Sequence, residues 1–122
     1  MIGTLHVGQE VAPEVNTTFE VVILFFDPGF SGALPQIFLT ALENPTTVEI
    51  RSGRTSQFES FANLQTENFT NLGEQRMVPI PIGADLLDSG TIVRVTRGRI
   101  ALSAISPRPF QMHFRRPETI RA

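Results

Sequence analysis

Residues that could carry acid–base or metal chemistry are sparse in this sequence. His6 and His113 are its two histidines, and they lie far apart along the chain. A zinc site needs three or four protein ligands, and a serine hydrolase needs a nucleophile, a base and an acid held together. Neither a ligand cluster at such spacing nor a Gly-x-Ser-x-Gly elbow occurs. The sequence therefore predicts a protein that is not an enzyme and that uses no cofactor.

Three aspartates in turn-like segments are the other candidates for binding a metal ion. Asp85 and Asp88 flank two leucines, and Asp27 comes before a Pro-Gly pair. Calcium takes six or more oxygen ligands, so an Asp-x-x-Asp spacing supplies too few by itself. Aspartate side chains in turns commonly hydrogen-bond the nearby backbone. We therefore expect these residues to cap turns, and we expect no metal site.

Two Asn-x-Ser/Thr sequences are candidate glycosylation sites. They begin at Asn16 and Asn68, whereas Asn44 is followed by proline and is excluded. In a eukaryotic secretory pathway both asparagines would be glycan acceptors on exposed loops. A pattern this short also arises by chance, so both interpretations stay open.

Arginine supplies every basic residue of the chain, and there is no lysine. A candidate basic surface consists of Arg94, Arg97, Arg99, Arg115 and Arg116. Arginine binds carboxylates and phosphates through two parallel hydrogen bonds, so such a surface could recognise a phosphate or a sialic acid. The alternative is that arginines on the outer faces of edge strands prevent sheets from aggregating.

Length and composition place the chain among small globular domains. It has 122 residues, of which 41% are hydrophobic and 18% charged, which is enough for one domain with its own core. A formal net charge of -2 argues against a nucleic-acid partner, which needs clustered positive charge. No segment approaches the roughly 20 apolar residues that span a bilayer, so no membrane partner is expected. The chain has no cysteine, and Met1 starts no recognisable signal peptide.

Strand signals are dense along the sequence, and helix signals are nearly absent. Segments rich in β-branched and aromatic residues are separated by the residues of tight turns. The predicted strands are 17–26, 36–42, 46–51, 77–82, 91–96, 99–105 and 110–114. Seven to eight short strands at this spacing are typical of a β-sandwich. We therefore predict an all-β, antiparallel β-sandwich of immunoglobulin-like or jelly-roll-like type.

Three of these segments predict where a strand lies in its sheet. Residues 17–26 become continuously apolar, as in a central strand buried on both faces. Two prolines within 77–82 indicate an edge strand. Alternation within 110–114 places Phe110, Met112 and Phe114 on one face and His113 on the outward face.

Two further segments make weaker predictions about connections. Residues 91–105 predict a hairpin with a tight turn at Arg97-Gly98. The polar segment 54–74 has scattered apolar residues, and it predicts only one or two irregular strands and a loop.

The first 16 residues form a separate unit in the sequence. Ala12-Pro13-Glu14 predicts the end of a short first strand, so residues 1–16 form an arm and residues 17–122 a single domain. The apolar residues of the arm are a candidate subunit interface: Ile2, Leu5, Val7 and Val11. The arm either closes a sheet of its own sandwich or adds as a strand to a neighbouring copy. A head-to-tail contact of the second kind does not close, and it builds a filament.

The order of these segments resembles the N-terminal domain of the IgGFc-binding protein family over residues 17–110. The resemblance is carried by FEVVILFF at 19–26, LPQIFLT at 34–40, ENPTTVEI at 43–50, VPIP at 78–81, GTIVRVT at 90–96 and IALSAI at 100–105. It implies an extracellular, β-rich module of adhesive, mucus-like or surface-layer proteins without enzyme chemistry. The chain departs from that family in having no cysteines and no tandem copies.

A second resemblance covers only residues 76–116. This part is similar to the end of small phage head-to-tail joining proteins, in which a strand, a polar loop and a hairpin with V-x-R spacing recur. It implies a structural protein of a virion.

These observations together predict a non-enzymatic structural or adhesive module whose partners are other copies of itself. On this interpretation it self-assembles into an extracellular fibre or a layer on the cell surface, with glycans attached where the Asn-x-Thr sites are used. The alternative is a phage virion protein that acts in the neck or decorates the capsid.

Overall fold

The computed structural model describes residues 10–25, 36–54, 62–79, 89–105 and 110–116. Regular structure in these segments consists of nine β-strands, numbered along the chain. Their bounds are β1 Glu10–Asn16, β2 Glu20–Phe25, β3 Gln36–Ala41, β4 Thr46–Arg54, β5 Ala62–Phe69, β6 Gln75–Pro79, β7 Ser89–Arg97, β8 Arg99–Ile105 and β9 Phe110–Arg115.

Two antiparallel sheets pack together as a sandwich, which confirms the predicted fold class. Sheet A has the strand order β1-β8-β3-β6, and sheet B has the order β5-β4-β7-β2-β9. The pairs nest inside one another: β4 with β5, β3 with β6, β2 with β7, and β1 with β8. One long hairpin rolled into two sheets gives this nesting, which is the jelly-roll arrangement. The ninth strand, β9, adds to sheet B next to β2.

β2 shows how the sequence pattern produces a central strand. It lies between β7 and β9, so both of its edges are paired. Val21 and Ile23 face the other sheet, Val22 faces outward, and all three are buried. β-branched side chains suit a pleated surface that is covered on both sides. The prediction of a central strand buried on both faces is therefore confirmed.

The core fills the space between the two sheets. Alternate residues of β3 and of β8 are buried, as the period of two predicts. The buried side chains of the core are Val15, Val21, Ile23, Ile37, Leu39, Ala41, Val48, Ile50, Phe69, Val78, Val93, Val95, Ile100, Leu102, Ala104 and Phe110. Aliphatic residues dominate this set, and its two phenylalanines lie on β5 and β9, the outermost strands of sheet B.

The predicted hairpin around Arg97-Gly98 is wrong, because its two strands lie in different sheets. β7 pairs with β2 and β4 in sheet B, whereas β8 pairs with β1 and β3 in sheet A. Gly98 has a φ of 87°, which L side chains rarely adopt, and the chain passes here from one sheet to the other. Alternation shows which residues share a face, but it does not show which strand lies alongside.

The N-terminal strand continues through the break predicted at Ala12-Pro13-Glu14, so that prediction is wrong. β1 pairs with β8 of its own chain on both sides of this point, and the register shifts between Ala12 and Glu14. A proline at a register shift removes no regular hydrogen bond of the ladder, so the strand tolerates it. Val15, two residues further on, is fully buried in the core.

The polar segment 54–74 contains one strand, β5, whose pairing with β4 shifts register after Ile50, as the prediction of an irregular strand and a loop allows. The positions of β5 that face sheet A include Gln65 and Glu67 as well as Phe69, so the inner side is not a simple apolar stripe. β6 is the last strand of sheet A and ends at Pro79. The prediction of a proline-containing edge strand is confirmed for the described part, Gln75–Pro79.

Candidate functional site

A buried carboxylate between two arginines lies on the outer face of sheet B. Glu20 of β2 stands directly opposite Arg94 of β7 on one side and Arg115 of β9 on the other. The Glu20 side chain is fully buried, although it faces away from the core. Strand register alone therefore places one negative and two positive groups side by side.

Both carboxylate oxygens of Glu20 accept hydrogen bonds from these arginines. Nε of Arg94 donates to Oε2 at 2.7 Å, and Nε of Arg115 donates to Oε1. The arginines are themselves partly covered, with side-chain exposures of 18% for Arg94 and 30% for Arg115. Charge-assisted hydrogen bonds of this kind are strong, and here they tie three adjacent strands together. The oxygens of Glu20 are thus engaged in holding the sheet.

The charged row continues across four of the five strands of sheet B and ends at Thr66 of β5. Glu49 of β4 stands opposite Arg94 on its other side, and Thr66 of β5 stands opposite Glu49. Glu49 also forms an ion pair with Arg51, two residues along the same face, at 3.4 Å. Acidic and basic side chains therefore alternate from β4 to β9.

An apolar pair lies next to this row on the same face. Val22 and Ile92 stand opposite each other, both are buried, and Leu24 packs against them. His113 stands opposite Val22 on β9 and is exposed, so it lies on the outward face as the alternation predicts. Its Nε2 lies 3.2 Å from Oε1 of Gln111. The ring has a hydrogen-bond partner, but it does not contact a carboxylate among the described residues.

A second ion cluster joins the two sheets where β5 and β6 run along one side of the sandwich. Arg76 of β6 donates to Oε1 of Glu67 at 2.6 Å and to the backbone oxygen of Asn68 at 2.6 Å, both on β5. Its guanidinium carbon also lies 4.5 Å from the centre of the Phe69 ring, within the range of a cation–π contact. Arg76 therefore covers the rim of the core at this side.

The same arginine binds Glu74, and both groups shift in pKa. Arg76 donates to Oε2 of Glu74 at 2.6 Å. This hydrogen bond lowers the pKa of Glu74 below its usual range, and a backbone hydrogen bond from Thr70 acts in the same direction. Hydrogen bonds to Glu67 and Glu74 raise the pKa of Arg76. The ion pair between Glu74 and Arg76 is therefore charged on both sides at neutral pH.

A third cluster lies where β8 begins. The Arg99 side chain forms ion pairs with Glu14 of β1 and with Glu43, at 3.3 Å for the latter. The buried hydroxyl of Thr46 donates to the backbone oxygen of Glu43 at 2.8 Å and accepts from the backbone nitrogen of Arg99 at 3.4 Å. Arg99 thus links β1, β8 and the turn between β3 and β4.

The structure places the five arginines of the predicted basic surface in different surroundings. Arg94 and Arg115 converge on Glu20 in sheet B, and Arg99 binds Glu14 on sheet A and Glu43 in the turn between β3 and β4. Arg97 and Arg116 are exposed. Three of the five arginines thus form ion pairs with acids of this chain. Binding of an outside ligand by the five arginines stays a prediction.

The two candidate glycosylation sites lie at strand ends. Asn16 is the last residue of β1, and its Oδ1 accepts hydrogen bonds from the backbone nitrogen and the hydroxyl of Thr18. Asn68 is exposed on β5, and its Oδ1 accepts from the Thr47 hydroxyl at 3.0 Å. Glycan attachment at either asparagine stays a prediction.

Several predicted positions lie outside the described residues: His6, Asp27, Asp85, Asp88, Ile2, Leu5 and Val7. Val11 belongs to β1 and stands opposite Ser103 of the same chain. Within the described ranges, no group of three or more acidic or histidine side chains is placed to hold a metal ion. No helix in the same part of the chain is long and apolar enough to cross a bilayer.

Glu20 and Glu67 are the residues that the sequence pattern missed. Glu20 interrupts a run of β-branched and aromatic residues, and a single acid inside such a run was the available signal. Glu67 stands in a polar segment and gave no signal, because its partner Arg76 comes from another strand and another sheet.

A shallow groove of about 460 Å³ lies on sheet A, where β6, β3 and β8 meet. Phe38, Met77 and Ser103 are among the residues that line it. These three side chains stand opposite one another across the three strands, and Met77 is well exposed.

Comparisons of the chain with family models, with curated proteins and with solved structures give no match.

Proposed function

We propose that this protein is a non-enzymatic structural module that binds other copies of itself and builds an extracellular fibre or surface layer. The observation that carries the proposal is an uncharged patch on the outer face of sheet A, defined by three rows across β6, β3 and β8. Its nine residues are Pro79, Gln36 and Ile105, then Met77, Phe38 and Ser103, then Gln75, Thr40 and Ala101.

The contrast between the two outer faces supports a binding role for this patch. Sheet B carries Glu20, Glu49, Arg51, Arg94 and Arg115 on its outer face. On sheet A the ion pair of Glu14 and Arg99 lies beside the nine-residue patch, and the patch itself carries no charge. The centres of protein interfaces are depleted of charged residues, because a charge that loses its water must be matched by a partner. The uncharged patch can therefore be covered without that penalty.

The ion clusters support a structural role in a different way. Glu20 and Glu67 are the buried acids of the described residues, and each is bound by an arginine from a neighbouring strand. These contacts tie adjacent strands within sheet B and tie sheet A to sheet B. A rigid sandwich presents a fixed surface, so little conformational entropy is lost when copies associate.

The jelly-roll topology favours a second candidate function, a structural protein of a virion. Jelly rolls occur in viral capsid proteins, and also in lectins and cupins. Intact mass of the protein from its natural source separates the two candidates. Added hexose mass at Asn16 or Asn68 favours secretion from a eukaryotic cell, and an unmodified chain favours the virion.

Sizing by light scattering over a range of protein concentrations, followed by electron microscopy, tests the proposal. We expect assemblies larger than a dimer that grow with concentration. Met77→Lys places a charge in the uncharged patch and is expected to stop this growth. Leu72→Lys is the matched control, since Leu72 is 70% exposed in the turn between β5 and β6. A monodisperse monomer at high concentration would contradict the proposal.

A further inference from the structure

Four large hydrophobic side chains are exposed within the described residues, and they lie on two opposite sides of the sandwich. Met77 is 57% exposed on β6, and Leu72 lies in the turn before β6. Phe19, in the turn between β1 and β2, is 36% exposed, and Phe114 of β9 is 39% exposed. β5 and β6 lie on one side of the sandwich, where Arg76 joins them, and β1 and β9 lie at the other ends of the two sheets.

Phe19 and Phe114 form an apolar step, where sheet B extends beyond sheet A. Phe114 stands opposite Val21 of β2, which faces the core, and alternation along β2 puts Phe19 on the same side. Sheet A ends on this side at β1, which contacts β2 and β7 across the sandwich. Both rings of the step are more than one-third exposed, so burial by a partner would remove apolar surface from water.

The turn that carries Phe19 is held by hydrogen bonds within the chain. The backbone nitrogen of Phe19 donates to the backbone oxygen of Asn16 at 2.9 Å. The backbone nitrogen of Thr18 donates to Oδ1 of the same asparagine at 2.8 Å. Phe19 is therefore presented in a fixed position, and little conformational entropy is lost when a partner covers it.

The groove on the outer face of sheet A is the second apolar surface. Phe38 and Met77 stand opposite each other and line this groove of about 460 Å³. Aromatic rings pack favourably on other rings and on the sulfur of methionine. A phenylalanine from another molecule therefore finds suitable neighbours here. The step lies beyond β1, at the far side of sheet A from β6, so a copy does not fill its own groove.

The charge beside the groove is negative. Arg76 of β6 forms ion pairs with Glu67 and with Glu74, at 2.6 Å in each case. Two acids therefore surround one arginine, and this cluster has a formal net charge of -1. A positively charged surface is attracted to this side of the sandwich.

The charge beside the step is positive. Glu20 is one acid bound by two arginines, Arg94 and Arg115, which gives a formal net charge of +1. Arg116, which follows β9, is exposed and forms no ion pair within the described ranges. Glu14 of the adjacent β1 is already bound by the arginine that begins β8. The step and the groove are thus both apolar, and the charges beside them have opposite signs.

We infer that the step of one copy, Phe19 and Phe114, packs on the groove at Phe38 and Met77 of the next copy. The inference deepens the proposed function by naming the surface that covers the uncharged patch, and it rests on that proposal. The two surfaces differ, so the contact is heterologous, and its repetition builds a filament unless the rotation closes a ring. Side chains alone make this contact, and the pairing of β9 within its own copy stays as it is.

Phe19→Ser tests the step, because it removes the ring without adding a charge. We expect that about tenfold more protein is then needed to reach the same mean mass in light scattering, with an unchanged β circular-dichroism spectrum. Leu72→Ser is the matched control, since it removes an exposed apolar side chain from a different turn. It is expected to grow as the natural chain does. Equal growth of Phe19→Ser and the natural chain would overturn the inference and leave the proposed function in place.

Arg116→Glu tests the complementarity of charge, because it puts an acid beside the step. It is expected to weaken growth, and high salt is expected to reduce the difference from the natural chain. Arg97→Glu is the control with the same net charge, since Arg97 is exposed on β7 and β2 separates it from β9. Equal weakening in the two variants would show a general effect of net charge and would contradict the contact.

A mixing experiment tests whether the two surfaces bind each other. Met77→Lys blocks the groove and keeps the step, whereas Phe19→Ser blocks the step and keeps the groove. At a concentration where neither variant grows alone, we expect an equimolar mixture to form one-to-one heterodimers and nothing larger, seen by native mass spectrometry. Absence of the heterodimer, or homodimers of Phe19→Ser, would overturn the inference. A natural chain that stays a monomer would instead contradict the proposed function, on which the inference rests.

Discussion

Glu20 of β2 accepts a hydrogen bond from Nε of Arg94 of β7 at 2.7 Å, and the acid is fully buried on the outer side of its sheet. A buried charge is stable only because hydrogen bonds from its charged partners replace the hydrogen bonds that water would otherwise make to it. The ion pair therefore holds β2 and β7 together, and substitution of either residue is expected to destabilise the sheet.

Glu20→Gln is expected to destabilise the protein by about 1 to 3 kcal/mol, because it weakens two charge-assisted hydrogen bonds whose arginines are themselves partly exposed. The amide keeps the size of the side chain, but it lacks the negative charge that Arg94 and Arg115 share at this position. Urea unfolding at neutral pH measures the change in the free energy of unfolding.

Glu49→Gln is the control for this prediction. Glu49 stands in the same row of side chains but is about one-quarter exposed, and its ion pair with Arg51 spans 3.4 Å. An ion pair of that kind contributes about 0 to 1 kcal/mol. If Glu20→Gln lost no more stability than Glu49→Gln, the buried ion pair would not stabilise sheet B.

Gly98→Ala is expected to cost about 2 to 5 kcal/mol, from a left-handed backbone conformation combined with overpacking. Gly98 has a φ of 87°, and an added Cβ would lie 2.7 Å from the backbone oxygen of Pro45 and still closer to Oγ1 of Thr46. The backbone of the turn between β3 and β4 cannot move away as a flexible side chain could. Thermal and urea unfolding both measure the loss.

Gly73→Ala is the matched control for the steric part of that effect. Gly73 has a similar φ of 83°, but an added Cβ would meet no atom within 4 Å. Its expected cost is the conformational part alone, about 1 to 2 kcal/mol. Equal losses in the two variants would show that close packing at Gly98 does not contribute.

Glu74 is expected to make stability depend on pH in the acid range. Its pKa in the folded protein is lowered from 4.5 by Arg76, so the folded state prefers the carboxylate. The stabilisation is complete at neutral pH and is lost as the pH falls through the lowered pKa, because protonation then removes the contact. Glu74→Gln should therefore be less stable than the natural chain at neutral pH.

The difference between Glu74→Gln and the natural chain should narrow as the pH falls below 4.5, the usual value for this carboxyl. Urea unfolding over a pH series measures both proteins under the same conditions. A stability gap that stayed constant down to acid pH would mean that the ion pair with Arg76 is not its source.

Thr91 and Ser52 form a hydrogen bond between strands that can be measured by a double-mutant cycle. Their hydroxyl oxygens lie 2.7 Å apart, and Thr91 is fully buried on β7. Thr91→Val leaves the Ser52 hydroxyl without this partner and should cost about 1 to 3 kcal/mol. Ser52→Ala combined with Thr91→Val should cost less than the sum of the single changes. Simple additivity would show that the hydroxyls do not interact.

The sequence predicts the fold class well because alternation and turn residues are local signals. Val21, Val22 and Ile23 indicate a strand covered on both faces, and Pro79 indicates an edge, without knowledge of any partner. Partner choice is not local. The turn at Gly98 has the residues of a hairpin, yet its strands separate into two sheets because each finds better neighbours elsewhere along the chain.

The candidate site is harder to predict for the same reason. Glu20 and Arg115 are adjacent only because β9 adds next to β2, and the two residues stand near opposite ends of the sequence. Glu67 points toward the core at a position where the pattern calls for an apolar residue, and Arg76 from another sheet compensates its charge. A single sequence gives no sign of either partnership.

The nested pairing of the strands also orders the events of folding. β4 and β5 are close in sequence, so their pairing closes a short loop, whereas the pairing of Val15 with Ile100 joins distant parts of the chain. Loop closure costs entropy that grows with the intervening length, and earlier pairs shorten the span that the next pair must close. The chain is therefore expected to zip outward from its middle, with β1 and β8 joining last among the nested pairs and setting a slow overall rate.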